Sequence, residues 1–441
     1  MDILEHPKAQ ELLADATLSA ADIHSCADRL YVFAQRYLPR FKRPEHRRHA
    51  LTILQGKLTH LQRKTTEPIA NEAGLKRRPL QLFVGGGGWQ DQKVRTELHG
   101  HVREELGDAD GVFILDNSGF PKKGIDSCGV DRQWCGRLGK IDNCQVGVFL
   151  AYATPRGHAL IDSQLYLPQD WAADANRRLK TAVPVEVVFR EKWRIGVDLL
   201  KRARQHLPGS WVVADDEFGR CSEFRSSLRR GRLRYVVDVP CNTLVRELSE
   251  RRPPSQPGGK RRLPKFERAD QWLARQPAGR WRTVHVRDGE KGPCAAQVLL
   301  ATVQTKEEDG RVGGSERLVV IRSVEKKPQT WYALSNARGQ ERRAELAGVH
   351  GMRHRVEEIL EAGNQEVGLG HYEVRSWVGW QHHMTLTMLA LWFLQLERLR
   401  LGEKKTGSDS AASASDLHGP VARAESERGE DSGSDQPRAA A

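Results

Sequence analysis

Cysteine is scarce in this chain. Seven cysteines in 441 residues, an odd number with no Cys-x-x-Cys among them, argue against a disulfide scaffold or a zinc ribbon and suit a reducing compartment. No run of about 18 uncharged apolar residues occurs, which excludes a helical membrane span. The opening Met1-Asp2-Ile3-Leu4-Glu5-His6 lacks the basic and apolar blocks of a secretory leader, so a cytoplasmic protein is expected. The glycine tetrad at Gly85, Gly86, Gly87 and Gly88 is not followed by Gly-Lys-Ser/Thr; it reads as a hinge, not a phosphate-cradling loop. No internal repeat is evident.

What the chain has in excess is positive charge. The formal charge is +13, yet residues 401–441 carry five basic and eight acidic residues, which leaves +16 on residues 1–400. An excess of that size favours a polyanionic partner. From residue 402 onward the Ser/Ala/Gly/acid composition has no apolar period and reads as a disordered tail. Residues 251–268 hold seven basic residues, one acid and four prolines, the composition of a basic loop.

Apolar periodicity predicts helices through Leu30, Phe33 and Tyr37, over Ala50 to Leu61, and over Lys93 to Leu106. A strand-rich block follows, with runs at Gly111–Leu115, Cys144–Tyr152, Ala159–Leu167, Trp211–Ala214 and Arg234–Val237, and a hairpin turn at Thr154-Pro155-Arg156-Gly157. A helix over Trp193–His206 lies among them. Short strands around Val284, Gln297–Val303 and Leu318–Ile321 come next, and helical pattern returns from Arg343 to Arg400, broken near Gly368-Leu369-Gly370. The fold class expected is α/β (α+β overall).

Two of the apolar strand runs end abruptly in a carboxylate, Asp116 and Asp215. Strand ends can present such groups side by side to a cleft, and paired carboxylates suit Mg²⁺, a hard cation that prefers oxygen ligands. The order of elements, a strand ending in Asp, a hairpin, a helix, a second strand ending in Asp and a late helix with Glu, is that of a ribonuclease H-like mixed sheet with flanking helices. The late helix offers Val356-Glu357-Glu358-Ile359-Leu360-Glu361.

These residues resemble the DDE transposases of bacterial insertion sequences, in particular the group with a β-rich insertion in a ribonuclease H-like catalytic core. Leu115-Asp116-Asn117-Ser118-Gly119-Phe120-Pro121-Lys122-Lys123-Gly124 is similar to the first-aspartate signature. Arg137-Leu138-Gly139-Lys140-Ile141-Asp142-Asn143-Cys144-Gln145 is similar to the start of the strand that follows it, and Val213-Ala214-Asp215-Asp216-Glu217-Phe218-Gly219 to the second-aspartate motif. Glu366-Val367-Gly368-Leu369, Tyr372 to Trp377 and Gly379-Trp380 resemble the segment after the third acid. The likeness covers roughly residues 25–400. Around the third acid the wider group often has Tyr-x2-Arg-x3-Glu-x6-Lys; here Arg353 and Glu357 are present, but His350 stands in the Tyr place and Asn364 in the Lys place.

The resemblance implies a division into a helical DNA-binding region (1–108), two parts of the catalytic core (109–240 and 341–400), an inserted β-rich subdomain (241–340) and a tail (401–441). It implies Asp116, Asp215 and Glu357 as catalytic and metal-holding residues with two Mg²⁺ ions, for which Mn²⁺ can substitute. Expected DNA contacts are Lys122, Lys123, Arg261, Arg262, Lys265, Arg268, Arg353 and Asn364. The implied reaction is hydrolysis of double-stranded DNA at element ends and transfer of the 3′-hydroxyls to target DNA by a homodimer in a synaptic complex, in a bacterial, nucleoid-associated setting. The alternative is a DNA-binding regulator derived from such an enzyme that has lost catalysis.

Helical geometry separates the acids of the late helix. At roughly 100° per residue, Val356, Ile359, Leu360, Gly363 and Val367 form one stripe. Glu357 lies at its edge, Glu358 opposite it, Glu361 further from the core than Glu357, and Glu366 on the other flank. His371, His382 and His383 fit no compact metal spacing and read as packing or DNA-facing residues. Cys128, Cys135 and Cys144 read as core or loop residues, and Glu373 as a structural acid paired with Arg375.

Overall fold

The computed structural model describes residues 20–250, 263–289, 292–307, 309–325, 327–337 and 342–405. Five helices precede the first strand: α1 (Ala20–Tyr37), α2 (Pro44–Lys57), α3 (Thr66–Glu72), α4 (Arg77–Gly86) and α5 (Asp91–Leu106). Gly85 and Gly86, expected in a hinge, instead close α4. The helix stops at Gly87, where a Cβ would lie 2.6 Å from the Phe83 carbonyl oxygen, so only glycine lets the chain turn so close to its own last turn.

The strands are β1 (Val112–Pro121), β2 (Asp131–Cys135), β3 (Lys140–Thr154), β4 (Gly157–Leu165), β5 (Trp211–Ala214), β6 (Arg234–Asp238), β7 (Leu244–Glu247), β8 (Glu267–Arg268), β9 (Arg282–Gly289), β10 (Gly292–Lys306), β11 (Val312–Ser323) and β12 (Thr330–Ser335). All twelve belong to one mixed sheet of order β2-β3-β1-β5-β6-β12-β11-β10-β7-β8, with β4 on β3 and β9 on β10. The β1–β5 and β5–β6 pairs are parallel; β1–β3 and β3–β4 are antiparallel. The turn at Pro155 and Arg156 joins β3 to β4 as the sequence predicts. The β-rich stretch after β6 continues the same sheet, because β12 pairs antiparallel with β6, Val237 opposite Leu334.

The parallel strands are covered on both faces, so they read as continuous apolar runs: Val112–Leu115 and Trp211–Ala214 are at most 3% exposed. Between them the chain forms α6 (Gln169–Ala173), α7 (Ala175–Lys180) and α8 (Lys192–Ala203); α9 (Asp216–Gly219) and α10 (Ser222–Arg230) link β5 to β6, and α11 (Ala269–Ala274) follows β8. A second apolar cluster, with Trp272, Leu299, Val303, Leu318 and Leu334, fills the far half of the sheet.

The late helical region is three helices: α12 (Arg343–Gly351), α13 (His354–Gln365) and α14 (Trp377–Lys405). Residues 381–393 of α14 are buried all round. The polar side chains that this buries are bonded: His382 contacts the Val84 and Trp89 carbonyls at 3.1 and 3.0 Å, and His383 Nε2 meets the Leu369 carbonyl at 3.0 Å. These two histidines are packing residues, as expected. Cys128, Cys135 and Cys144 are buried thiols. Glu373, by contrast, pairs with Arg63 at 2.6 Å, while Arg375 faces Asp126 at 3.7 Å; proximity in sequence points to the wrong partner.

The chain forms two compact units, one of residues 33–395 and a smaller one whose described part is 20–32 and 396–405. In the smaller unit Glu397 accepts from Arg29 at 2.6 Å and Arg400 at 3.1 Å. Helix α14 continues through Gly402 to Lys405, past the point where the expected tail begins; residues 406–441 lie outside the described residues. Among the described residues no helix is long and apolar enough to cross a membrane.

Candidate active site

Parallel register places the two aspartates. The β1–β5 pairing ends at Leu115 opposite Ala214, and the next residue on each strand is Asp116 or Asp215. Apolar patterning alone ends β1 at Asp116. In the structure β1 runs on to Pro121, because β3 keeps bonding it on the other side, Asp116 opposite Phe149 and Pro121 opposite Cys144. Asp116 thus stands mid-strand, at the notch where its parallel neighbour departs.

Asp215 makes that departure. Its Oδ1 accepts from the Glu217 and Phe218 amides at 3.1 and 3.3 Å, capping α9 and ending β5. Asp116 Oδ1 accepts from the Asn117 amide at 2.8 Å. Among the described residues the second oxygen of each carboxylate makes no hydrogen bond. Burial first, then the Asp215 carboxylate, pushes Asp116 up to about 7. Burial, then the charge of Glu217, pushes Asp215 up to about 6. The notch thus holds two acids whose burial opposes ionisation.

The third wall is the α12–α13 elbow. His350 Nε2 lies 2.7 Å from Asp238 Oδ1 at the end of β6. Arg353 Nε lies 3.2 Å from Asp238 Oδ2, and its Nη2 lies 2.9 Å from Glu357 Oε1. The Arg353 guanidinium is within electrostatic reach of Asp238, Glu357, Asp116 and Asp215, and Glu357 is within reach of Asp116. Val356, Ile359, Leu360 and Gly363 are the buried residues of α13, the stripe that the periodicity predicts. Glu357 is 46% exposed. Glu358 is 34% exposed, not fully outward as expected, since Arg355 holds it at 2.8 Å and His158 of β4 lies within electrostatic reach.

The donor set fits a hard divalent cation in part. It is all oxygen, two carboxylate oxygens are unengaged, and Asn117 Oδ1 beside them is buried with no hydrogen-bond partner. Among the described residues, however, no three His, Cys, Asp or Glu side chains are gathered to hold a metal ion; Glu357 is held by Arg353 and, at 3.4 Å, by His354.

The expected DNA contacts are scattered. Arg353 lies in the acidic notch. Asn364 receives Arg137 at 3.1 Å and donates to the Leu360 carbonyl at 2.7 Å. Lys122 is half-buried with its ammonium 3.5 Å from the Tyr372 ring centroid, and burial lowers it to about 8. Lys123 and Lys265 are exposed. Arg268 pairs with Asp270 at 2.6 Å, which neutralises much of its charge. Arg261 and Arg262 lie outside the described residues. Sequence reasoning misses Asp238, Lys192 and Glu217. Asp238 carries the same signal as the other two aspartates, an apolar run (Tyr235, Val236, Val237) ending in Asp. Lys192 reaches Glu217 at 2.6 Å and Asn117 Nδ2 donates to Glu217 at 3.0 Å, a contact across the notch that no spacing announces.

Two comparisons bear on this site. Residues 36–293 match a family described as DDE superfamily endonuclease. The match takes in Asp116 and Asp215 and ends before Glu357. A relative named as the probable transposase for insertion sequence element IS701, from Microchaete diplosiphon, is 28% identical over 198 residues, 43% of this chain and 48% of the relative. The aligned stretch thus spans about half the length of that relative.

Proposed function

The chain belongs to the DDE superfamily of endonucleases, and on that premise we propose that it is an insertion-sequence transposase. It binds the ends of its element, hydrolyses one phosphodiester at each, and joins the freed 3′-hydroxyls to target DNA. The observation that supports this reading is that Asp116 and Asp215 follow the paired ends of β1 and β5, with Glu357 within electrostatic reach of Asp116 and Arg353 within reach of all three acids. The strand order β4-β3-β1-β5-β6, antiparallel on one side of β1 and parallel on the other, supports a ribonuclease H-like core. In this reading residues 1–108 bind DNA, 109–240 and 341–400 form the core, and 241–340 are inserted between its parts.

Asp116 and Asp215 would hold Mg²⁺ or Mn²⁺, with Glu357 joining once it leaves Arg353. Two such ions, when bound, activate an attacking oxygen and stabilise the leaving oxygen of a phosphodiester. The residues themselves do the rest. Asn117 and Lys192 fix Glu217 and so the Asp215 turn, and His350 with Asp238 anchors the elbow that carries Arg353. Arg353, released from Glu357, meets a DNA phosphate with its planar fork. In hydrolysis water adds to phosphorus, the P–O3′ bond breaks, and the 3′-oxygen takes a proton; in strand transfer that 3′-hydroxyl adds to a target phosphorus and displaces its 3′-oxygen. Synapsis of two ends requires two copies of the chain.

The test is incubation of purified protein with its flanking DNA and Mg²⁺. Nicks at the element ends that vanish with EDTA and in Asp116→Ala, while end binding persists, are expected. End binding without metal-dependent nicking would overturn the enzyme reading and leave a regulator.

A further inference from the structure

Helices α2, α3 and α4 and the loop 368–374 enclose a cavity of about 250 Å³ whose wall includes Lys57, Lys64, Arg78, His371 and Tyr372. Lys57 is 1% and Lys64 8% exposed. Lys57 Nζ donates to the Val367 carbonyl at 3.2 Å. Lys64 Nζ donates to the Lys57 carbonyl at 2.8 Å and to the Thr59 carbonyl. Among the described residues neither ammonium forms an ion pair. Glu366 lies within electrostatic reach of Lys64, and Glu373 on the rim is taken by Arg63. Two ammonium groups within reach of each other, with almost no exposed surface and bonded by carbonyl oxygens, are an expensive arrangement. Burial, then the charge of Lys64, presses Lys57 down to about 7.

The loop over these lysines is built for closeness. Gly368 has φ +67°, and a Cβ there would lie 2.9 Å from both His371 Nδ1 and Lys64 Cβ, so glycine is required twice over. The Lys64 amide donates to His371 Nδ1 at 3.2 Å. That leaves Nε2 as the proton-bearing nitrogen of the ring. The charged wall is two ammoniums, a guanidinium and an imidazole N–H against one carboxylate, Glu373, which Arg63 holds, with Thr65, Thr66 and Gln81 as neutral polar neighbours. The volume is below the roughly 300–1,000 Å³ usual for organic ligands and suits a small multivalent oxyanion.

We infer that this cavity is a phosphate-binding site, in which Lys57 and Lys64 neutralise the anion from within and Arg78 and His371 hold it at the mouth. The phosphate can come from DNA or from a free mononucleotide. Neither source requires catalysis, so the site can stand or fall separately from strand cleavage.

The test uses the full chain, metal-free, titrated calorimetrically with inorganic phosphate at constant ionic strength, chloride being the control. One saturable site per chain is expected, with net proton uptake at pH 8 as Lys57 becomes fully charged. Lys57→Met should remove the proton uptake and weaken binding at least tenfold. The double variant Arg78→Ala/His371→Gln, which keeps both buried lysines and a side-chain acceptor for the Lys64 amide, should weaken binding severalfold, with its melting temperature within a few degrees of wild type. Displacement of phosphate by a 5′-phosphorylated oligonucleotide assigns DNA as the source; displacement by thymidine monophosphate alone assigns a free nucleotide. No saturable phosphate heat, or equal affinity in the double variant, overturns the site.

Discussion

Replacing Asp116 by Asn should stabilise the metal-free protein at neutral pH. The carboxyl rises from 3.8 to about 7, so its ionisation works against the folded state. The sign follows from linkage: a carboxyl with a raised folded pKa costs nothing below pH 4, costs more as pH climbs, and costs its full amount above pH 7. A rise of that size corresponds to about 4 kcal/mol. The group is only partly buried, so solvent screening reduces that to about 2 kcal/mol. For a chain of 441 residues the unfolding entropy is about 0.9 kcal/mol per degree, so the melting temperature should rise by about 2 °C. Asn keeps the shape and can still accept from the Asn117 amide. Differential scanning calorimetry in EDTA at pH 8 and pH 4.5 measures the effect, which should be full at the first and about a quarter as large at the second. Mg²⁺ at pH 8 should then raise the melting point of wild type and leave the variant unmoved. An Asp116→Asn protein that melts no higher than wild type at pH 8 would show that the notch does not press its acids together.

Glu357→Gln should suppress end cleavage by two orders of magnitude or more, whereas Glu358→Gln should keep its rate; the reverse pattern in one nicking assay would transfer the third acid to Glu358. Arg95 and Asp162 are fully buried and paired at 2.8 Å, with Asp91 3.4 Å from Arg95 and Arg202 3.0 Å from Asp162; Asp162→Asn leaves Asp91 as the remaining acid on Arg95, so it should cost about 3 kcal/mol in urea unfolding, the low end for a broken buried pair. A loss under about 1 kcal/mol would mean that water replaces the pair. Neutralising Lys123 and Lys265 should lower the slope of log K against log[salt] for end DNA by about 0.9 for each phosphate left unneutralised, and an unchanged slope would place both in solvent. Removing residues 406–441, a net acidic segment, should leave nicking intact; loss of nicking would show that this segment is needed.

Much of the site is legible in one dimension because burial is periodic. The α13 stripe follows from apolar spacing, since a helix set on a sheet must bury one face. The runs ending in Asp116 and Asp215 follow because parallel strands are covered on both sides. Short strands with weaker patterns, β2, β7 and β12, escape notice, as their side chains are set by neighbours and not by their own alternation. The same limit applies to Glu358, whose half-burial comes from Arg355 and β4, and to Glu373, whose partner is 310 residues away.

The pattern of the chain marks three acids as candidates, at separations of 99 and 142 residues, two at the ends of apolar runs and one at the edge of a helical stripe. Packing sets Asp116 and Asp215 on neighbouring strands at the β1–β5 notch and brings Glu357 within electrostatic reach of Asp116. Leu115 had to pair with Ala214 for Asp116 and Asp215 to face one notch, and β12 had to add to β6 for the chain to return α13 beside it. It also decided that Arg353 grips Asp238 and Glu357 together. Periodicity records how much of each side chain is hidden, but not what hides it. Register, strand order and ion-pair partners arise from packing between segments distant in the chain, where a one-residue slip would turn every side chain to the other face.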